Sequence, residues 1–220
     1  MLWTSAPFTI TWTALAVGAL LVAERRAKRW GVWLSKPAAS LGFVALACGA
    51  PESMQGYAAR MLIALVACAL GDVLLIPRGD GPSFLAGLVC FGLGHALYAG
   101  AFLLLQPQWP VTALAAVGML AVAIATLRWL RPHVPAPLRG AVVGYIAVIG
   151  VMVAVAAGAS AETGDMRHVV GAVAFAVSDL SVARERFVHA SFTNLAWGLP
   201  LYYAAQLTLA ASLWDLHAPN

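Results

Sequence analysis

Charge is what this chain has least of. Of its 220 residues, 13 are Lys or Arg and 9 are Asp or Glu, so charged residues make up 10%. A soluble globular domain carries about 25%. The deficit is filled by apolar residues, which reach 62% and run the whole length of the chain. A water-soluble domain is excluded, and a polytopic all-α membrane protein is what remains.

Other absences narrow the function. The three cysteines, Cys48, Cys68 and Cys90, fall inside apolar runs without metal-ligand spacing. They fit small buried thiols better than a disulfide framework. The five histidines are scattered, and only His95 lies deep in an apolar segment, which argues against a multi-histidine zinc site. No Walker loop or dinucleotide fingerprint occurs. Gly158-Ala-Ser-Ala-Glu162 lacks the second glycine of a nucleophile elbow. The basic residues occupy short loops and form no extended face, so nucleic acid is not an expected partner. The first apolar run precedes its positive cluster, the reverse of a cleavable signal peptide.

Eight apolar stretches are long enough to cross a bilayer, which takes about 17 or more residues each. They cover residues 7–24, 33–50, 58–77, 83–105, 110–128, 139–158, 167–183 and 190–213, a bundle of eight transmembrane helices within one domain, 1–220. Pro51, the turn 77–82, Gln106-Pro-Gln-Trp-Pro110 and the Pro-rich stretch 131–137 punctuate them. The loops then sort by charge. One alternating set holds Arg25, Arg26, Lys28, Arg29, Lys36, Arg78, Arg128, Arg131, Arg139, Arg184 and Arg186, and the other only Arg60 and Arg167. By the positive-inside rule the rich set is cytoplasmic, which places both termini outside the cytoplasm.

Within this apolar background the ionisable residues stand out. An Asp at a helix centre costs roughly 2.5–3.5 kcal/mol, so it should face protein or water. Asp72 and Asp179 both lie near the cytoplasmic ends of helices that run inward, the third and the seventh. His95 and Tyr98, three residues apart, share one face of the fourth helix. Tyr202, Tyr203 and Gln206 lie mid-membrane on the eighth, just after Pro200, which should kink it and free a carbonyl. These groups would line a polar cleft open to the cytoplasmic leaflet. Two carboxylates in one cleft supply a general acid and a general base together. Equally, Asp, Tyr and Gln can simply bond helix to helix. Lys36-Pro37, at the opening of the second helix, and Arg184 and Arg186 are candidates for a phosphate headgroup, or snorkelling cations that enforce topology.

Taken in order, Leu70-Gly-Asp72-Val-Leu-Leu75, the run 84–98 ending Gly94-His95-Ala-Leu-Tyr98, Ser178-Asp179 with Arg186-Phe187, and Leu201-Tyr-Tyr203-Ala-Ala-Gln206 resemble the lysoplasmalogenase (YhhN-like) family. The likeness extends over most of the chain, including Lys36-Pro37 and the eight-helix layout. The resemblance implies hydrolysis of the vinyl ether bond of lysoplasmalogens, releasing a fatty aldehyde and glycerophospho-ethanolamine or -choline. Such a reaction needs an acid, a base and negative charge beside an oxocarbenium ion, and no metal or cofactor. It implies Asp72 and Asp179 as the catalytic pair. His95, Tyr98, Ser178, Tyr202, Tyr203 and Gln206 would bind substrate or water, and Lys36 and Arg186 would meet the phosphate. The expected partners are a lysophospholipid and membrane lipid, and the expected location is a bacterial cytoplasmic membrane. A proton-coupled transporter, a hydrolase of another lysolipid or a lipid-binding protein are the competing classes.

Overall fold

A computed structural model describes residues 6–50, 56–77 and 81–214. Among these residues the regular structure is entirely helical. The long helices are α1 (Ala6–Arg25), α2 (Arg29–Cys48), α3 (Gly56–Leu74), α4 (Pro82–Leu103), α5 (Trp109–Leu130), α6 (Arg139–Thr163), α7 (Arg167–Ala183) and α8 (Phe192–Ala211). Six of them, α1 to α6, are long and apolar enough to cross a membrane. The seventh has 17 residues, and α8 carries Asn194, Pro200, Tyr202, Tyr203 and Gln206 among its apolar positions.

Three boundaries differ by three residues or more from those read off the sequence, each for a local reason. The second helix begins at Arg29 rather than 33 and carries Pro37 inside it. Pro37 therefore does not open the helix, and Lys36 sits two turns in, where it can point at a neighbour. The missing Pro N–H forgoes only the bond to the carbonyl four residues back. The third helix ends at Leu74, so Asp72 lies in its last turn. The sixth runs on to Thr163 and stops at Gly164, which takes the left-handed conformation at φ +75°. Pro51 and residues 78–80 of the expected 77–82 turn lie outside the described residues.

Sequential helices form the antiparallel hairpins α1–α2, α3–α4, α5–α6 and α7–α8. Further packing of α2 on α3, α4 on α6, α6 on α7, and α8 on α1 and α2 closes a ring. The fifth helix lies outside this ring against α6, and only Thr112 and Leu130 along it are buried. Small residues let the backbones approach. A Cβ on Gly198 of α8 would collide with the Ser181 side chain of α7. The centre of the ring is aromatic, with Phe43, Tyr98, Phe102, Phe175 and Tyr203 fully buried. Cys68 is buried as expected, but Cys90 is only partly so, and Cys48 is exposed on the outward side of α2. Its apolar surroundings in sequence did not say which face it takes.

Odd-numbered helices end, and even-numbered helices begin, at one common end of the bundle. That end carries Arg25, Arg26, Arg29, Arg128, Arg131, Arg139, Arg184 and Arg186.

Candidate active site

At the basic end a cavity of about 700 Å³ opens into the bundle. Its polar part is lined by Glu24, Lys36, Asp72, Tyr145, Ser178, Asp179, Glu185, Arg186 and Tyr202. Asp72, on α3, and Asp179, on α7, thus line one cavity. A second, apolar part runs away from the basic end between α5, α6 and α7. It is lined by Met119 and Val122, Ile149 and Val153, and Val173 and Val177. Because α5 packs chiefly on α6, the space between α5 and α7 stays open.

Asp72 is 2% exposed and sits among donors. The Lys36 ammonium lies 3.5 Å from its Oδ1. Ser40 Oγ, 2.7 Å away, and the Tyr202 hydroxyl, 2.8 Å away, donate to its Oδ2. Lys36 can approach because the early start of α2 carries it inside. Ser40, one turn further along the same face, then also meets the carboxylate. Tyr203 is tied to the same corner, donating to the Lys36 carbonyl at 3.3 Å. An ammonium has no lone pair to offer, so this set of partners suits an ionised carboxylate.

Asp179 has different company. Its side chain is 13% exposed, and Oδ2 accepts the Tyr145 hydroxyl at 3.1 Å. His95 Nε2 lies 3.2 Å from the same oxygen. His95 itself is fully buried, stacked on Phe175 with ring centroids 4.1 Å apart and met edge-on by Tyr145. Its Nδ1 bonds the Phe91 carbonyl at 2.7 Å.

The other residues expected from the sequence are placed less evenly. Arg186 lines the chamber with its guanidinium 3.9 Å above the Phe84 ring. Ser178 also lines it, while its hydroxyl donates to the Phe175 carbonyl. Tyr98 and Gln206 are buried behind the wall, the Tyr98 hydroxyl donating to Gln206 Oε1 at 2.6 Å. Neither these two nor His95 and Tyr203 are among the residues lining the cavity. Three of its polar residues carried no expectation, Glu24, Tyr145 and Glu185, and neither did Ser40, which bonds Asp72 from behind the lining. Tyr145 is the single hydroxyl in the apolar stretch 141–159 of α6 and was available to the same reasoning as Tyr98.

The chamber lining at the basic end includes a π-helical turn, Arg184–Val188, that follows α7. The His189 N–H reaches back five residues to the Arg184 carbonyl. Glu185 then accepts from the Ser191 N–H at 2.7 Å and Asn194 Nδ2 at 2.8 Å, fixing the start of α8. Such turns occur often at functional sites.

This arrangement can be set beside known proteins. The sequence profile of the YhhN family matches residues 31–213. The chain belongs to the YhhN family. Every polar cavity residue named above except Glu24 falls within the YhhN match. Curated relatives of the chain carry functional names. The chain is 31% identical over 196 residues to the Bos taurus protein named lysoplasmalogenase TMEM86A, covering 86% of this chain and 75% of that one. It is 32% identical over 179 residues to a Mycobacterium bovis protein named lysoplasmalogenase, covering 78% and 67%. No solved structure matches. Six apolar helices together with YhhN membership make this a multi-pass membrane protein.

Proposed function

We propose that this chain is a lysoplasmalogenase, an ether hydrolase that cleaves the vinyl ether of a lysoplasmenyl-ethanolamine or -choline to a fatty aldehyde and a glycerophospho-alcohol. The observation that carries the reading is one cavity with two unlike halves: a chamber lined by Asp72, Asp179, two glutamates and two cations, and an apolar lane. From Tyr145 to Val153 along α6 the lane runs about 12 Å at the ordinary helical rise. One lane suits one alkenyl chain. The chamber mouth, with Lys36 and Arg186, suits the phosphate, and Glu24 and Glu185 offer carboxylates to the ammonium beyond it.

Vinyl ether hydrolysis needs a proton on the β-carbon, a nearby anion while the oxocarbenium ion exists, and a base for the attacking water. Asp72 and Asp179, lining one cavity, can supply these. In this reading all eight helices cross the membrane, the chamber opens toward the cytoplasmic leaflet at the basic end, both termini lie outside the cytoplasm, and the host membrane is a bacterial cytoplasmic one. Burial of polar groups along α7 and α8 in the ring accounts for their lower apolarity.

The test is aldehyde release by the purified full-length protein in lipid nanodiscs, supplied with lysoplasmenylethanolamine or with its ester counterpart, 1-acyl-lysophosphatidylethanolamine. Aldehyde from the first and no fatty acid from the second is the expected result. Fatty acid from the ester, or neither product, would overturn the reading in favour of another lysolipid hydrolase or a carrier.

A further inference from the structure

The hydrogen bonds around the two carboxylates differ in a way that assigns the catalytic proton. His95 Nδ1 meets the Phe91 carbonyl at 2.7 Å. A carbonyl only accepts, so Nδ1 carries a hydrogen. In a neutral ring the other nitrogen, Nε2, then offers a lone pair. It faces Asp179 Oδ2 at 3.2 Å, an oxygen that already accepts from Tyr145. Nε2 is buried and has no hydrogen-bond partner of its own among the described residues. No hydrogen bond joins the two atoms, yet an imidazole lone pair and an ionised carboxylate oxygen this close repel, and a proton on either one relieves that repulsion. The ring cannot turn away, because Phe175 stacks on one face and the Phe91 carbonyl holds the far nitrogen. Asp72, by contrast, is met by an ammonium and two hydroxyls.

We propose that Asp179 and His95 together hold one transferable proton, so that Asp179 is the general acid, His95 and Tyr145 position and supply it, and Asp72 works as the ionised carboxylate. The assignment rests on the vinyl ether reading given above. The proton leaves Asp179 for the β-carbon, and the π electrons of the double bond form the new C–H bond. The adjacent carbon becomes an oxocarbenium centre facing Asp72. Water adds there, and its proton goes to Asp72, leaving a hemiacetal. The hemiacetal hydroxyl returns a proton to the Asp179–His95 pair as the carbon–oxygen bond to glycerol breaks. That glycerol oxygen takes the proton from Asp72. Aldehyde and alcohol depart, and both carboxylates regain their starting states. Only Asp179 and Asp72 touch the reacting atoms. His95 acts through Asp179.

The groups facing His95 are few. Asp179 comes from α7 and Tyr145 from α6. On α3 Cys68 lies within electrostatic reach of both aspartates. Tyr98 from α4 and Tyr202 from α8 share the Phe175 ring with it.

Two measurements on the full-length protein in nanodiscs test this. The first needs no turnover: ¹⁵N NMR of the histidine-labelled protein, paired with infrared detection of the Asp179 carboxyl at neutral pH. The expected result is hydrogen on Nδ1, and one further proton on either Nε2 or the carboxyl, lost from the pair in Asp179→Asn. A bare Nε2 beside an ionised Asp179 would overturn the proposal even if aldehyde is formed. The second is the pH profile of kcat. His95→Gln should lower kcat on the order of 10²-fold, within the range that general acid catalysis supplies. It should leave KM unchanged and move the pH at which activity is lost on the alkaline side. Tyr202→Phe should move only the acidic side. The reverse pattern would exchange the roles of the two aspartates. No aldehyde from the wild type, with the proton found on the pair, would retain the shared proton and overturn its use as a vinyl ether acid.

Discussion

The two carboxylate corners of the chamber are alike in residue type and unlike in everything around them. Asp72, on α3, is held by a lysine and two hydroxyls from α2 and α8. Asp179, on α7, faces an imidazole from α4 and a phenol from α6. One carboxylate is paired with a cation, and the other with an imidazole whose Nδ1 is already tied to a carbonyl. Two carboxyl groups in unlike surroundings are the arrangement that the proposed division into acid and base requires.

The largest expected effect is on turnover. Asp179→Asn and Asp72→Asn should each reduce aldehyde release by about 10²–10⁴-fold, the span that a positioned acid or base contributes. Stability should then separate the corners. Asp72→Asn leaves the buried Lys36 ammonium without its counter-charge, and removing one member of a buried pair costs about 3–5 kcal/mol. In Asp179→Asn an amide nitrogen at the Oδ2 position can donate to Tyr145 Oη and relieve the repulsion with His95 Nε2, so thermal denaturation in nanodiscs should change by less than about 1 kcal/mol. Equal losses would erase the contrast between the corners.

A smaller effect sharpens the lane. Val177→Trp should fill the space between α5 and α7. It should raise KM for long-chain lysoplasmenylethanolamine about tenfold relative to a short-chain analogue, as a bulky side chain replaces a few methylenes of substrate burial. Unchanged chain-length preference would remove the lane from the binding site.

The smallest lies at the opposite end of the bundle. Partial burial pushes the Asp165 carboxyl up. The hydrogen bonds from the Arg167 side chain and N–H, with the charges of His168 and Arg167, outweigh it and hold the carboxyl below the usual range. A lowered carboxyl stabilises the fold above its ordinary titration range and loses that contribution as the pH falls through its folded value. Asp165→Asn should cost under about 1 kcal/mol at neutral pH, with solvent screening keeping it small. It should leave turnover unchanged, and its deficit should shrink in acid.

The helical architecture was legible because lipid leaves few options: long apolar runs punctuated by proline and glycine must be helices, and the charge asymmetry orders their ends. Asp72 and Asp179 were legible for a related reason, since an ionisable group in such a run is costly and needs a purpose. The pairing of residues was not legible. Nothing in linear spacing says that Lys36 meets Asp72 rather than lipid phosphate, or that His95 meets Asp179 rather than Tyr98. Those contacts depend on the rotation of each helix, which the packing of neighbours such as Gly198 against Ser181 sets. Tyr145 was missed because its helix is apolar on every side, so no face was marked as inward. The π-helical turn after α7 was missed because Arg184–Val188 has no composition that distinguishes it from an ordinary helix end.

The measurement that bears most directly on the account is hydrolysis of lysoplasmenylethanolamine in heavy water, with the fatty aldehyde trapped as it forms and its deuterium located. Protonation by the chamber acid predicts a single deuterium on the carbon next to the aldehyde carbon, and a slower reaction than in ordinary water. Aldehyde released without deuterium at that carbon would contradict the proton-transfer mechanism and the division of labour between Asp179 and Asp72.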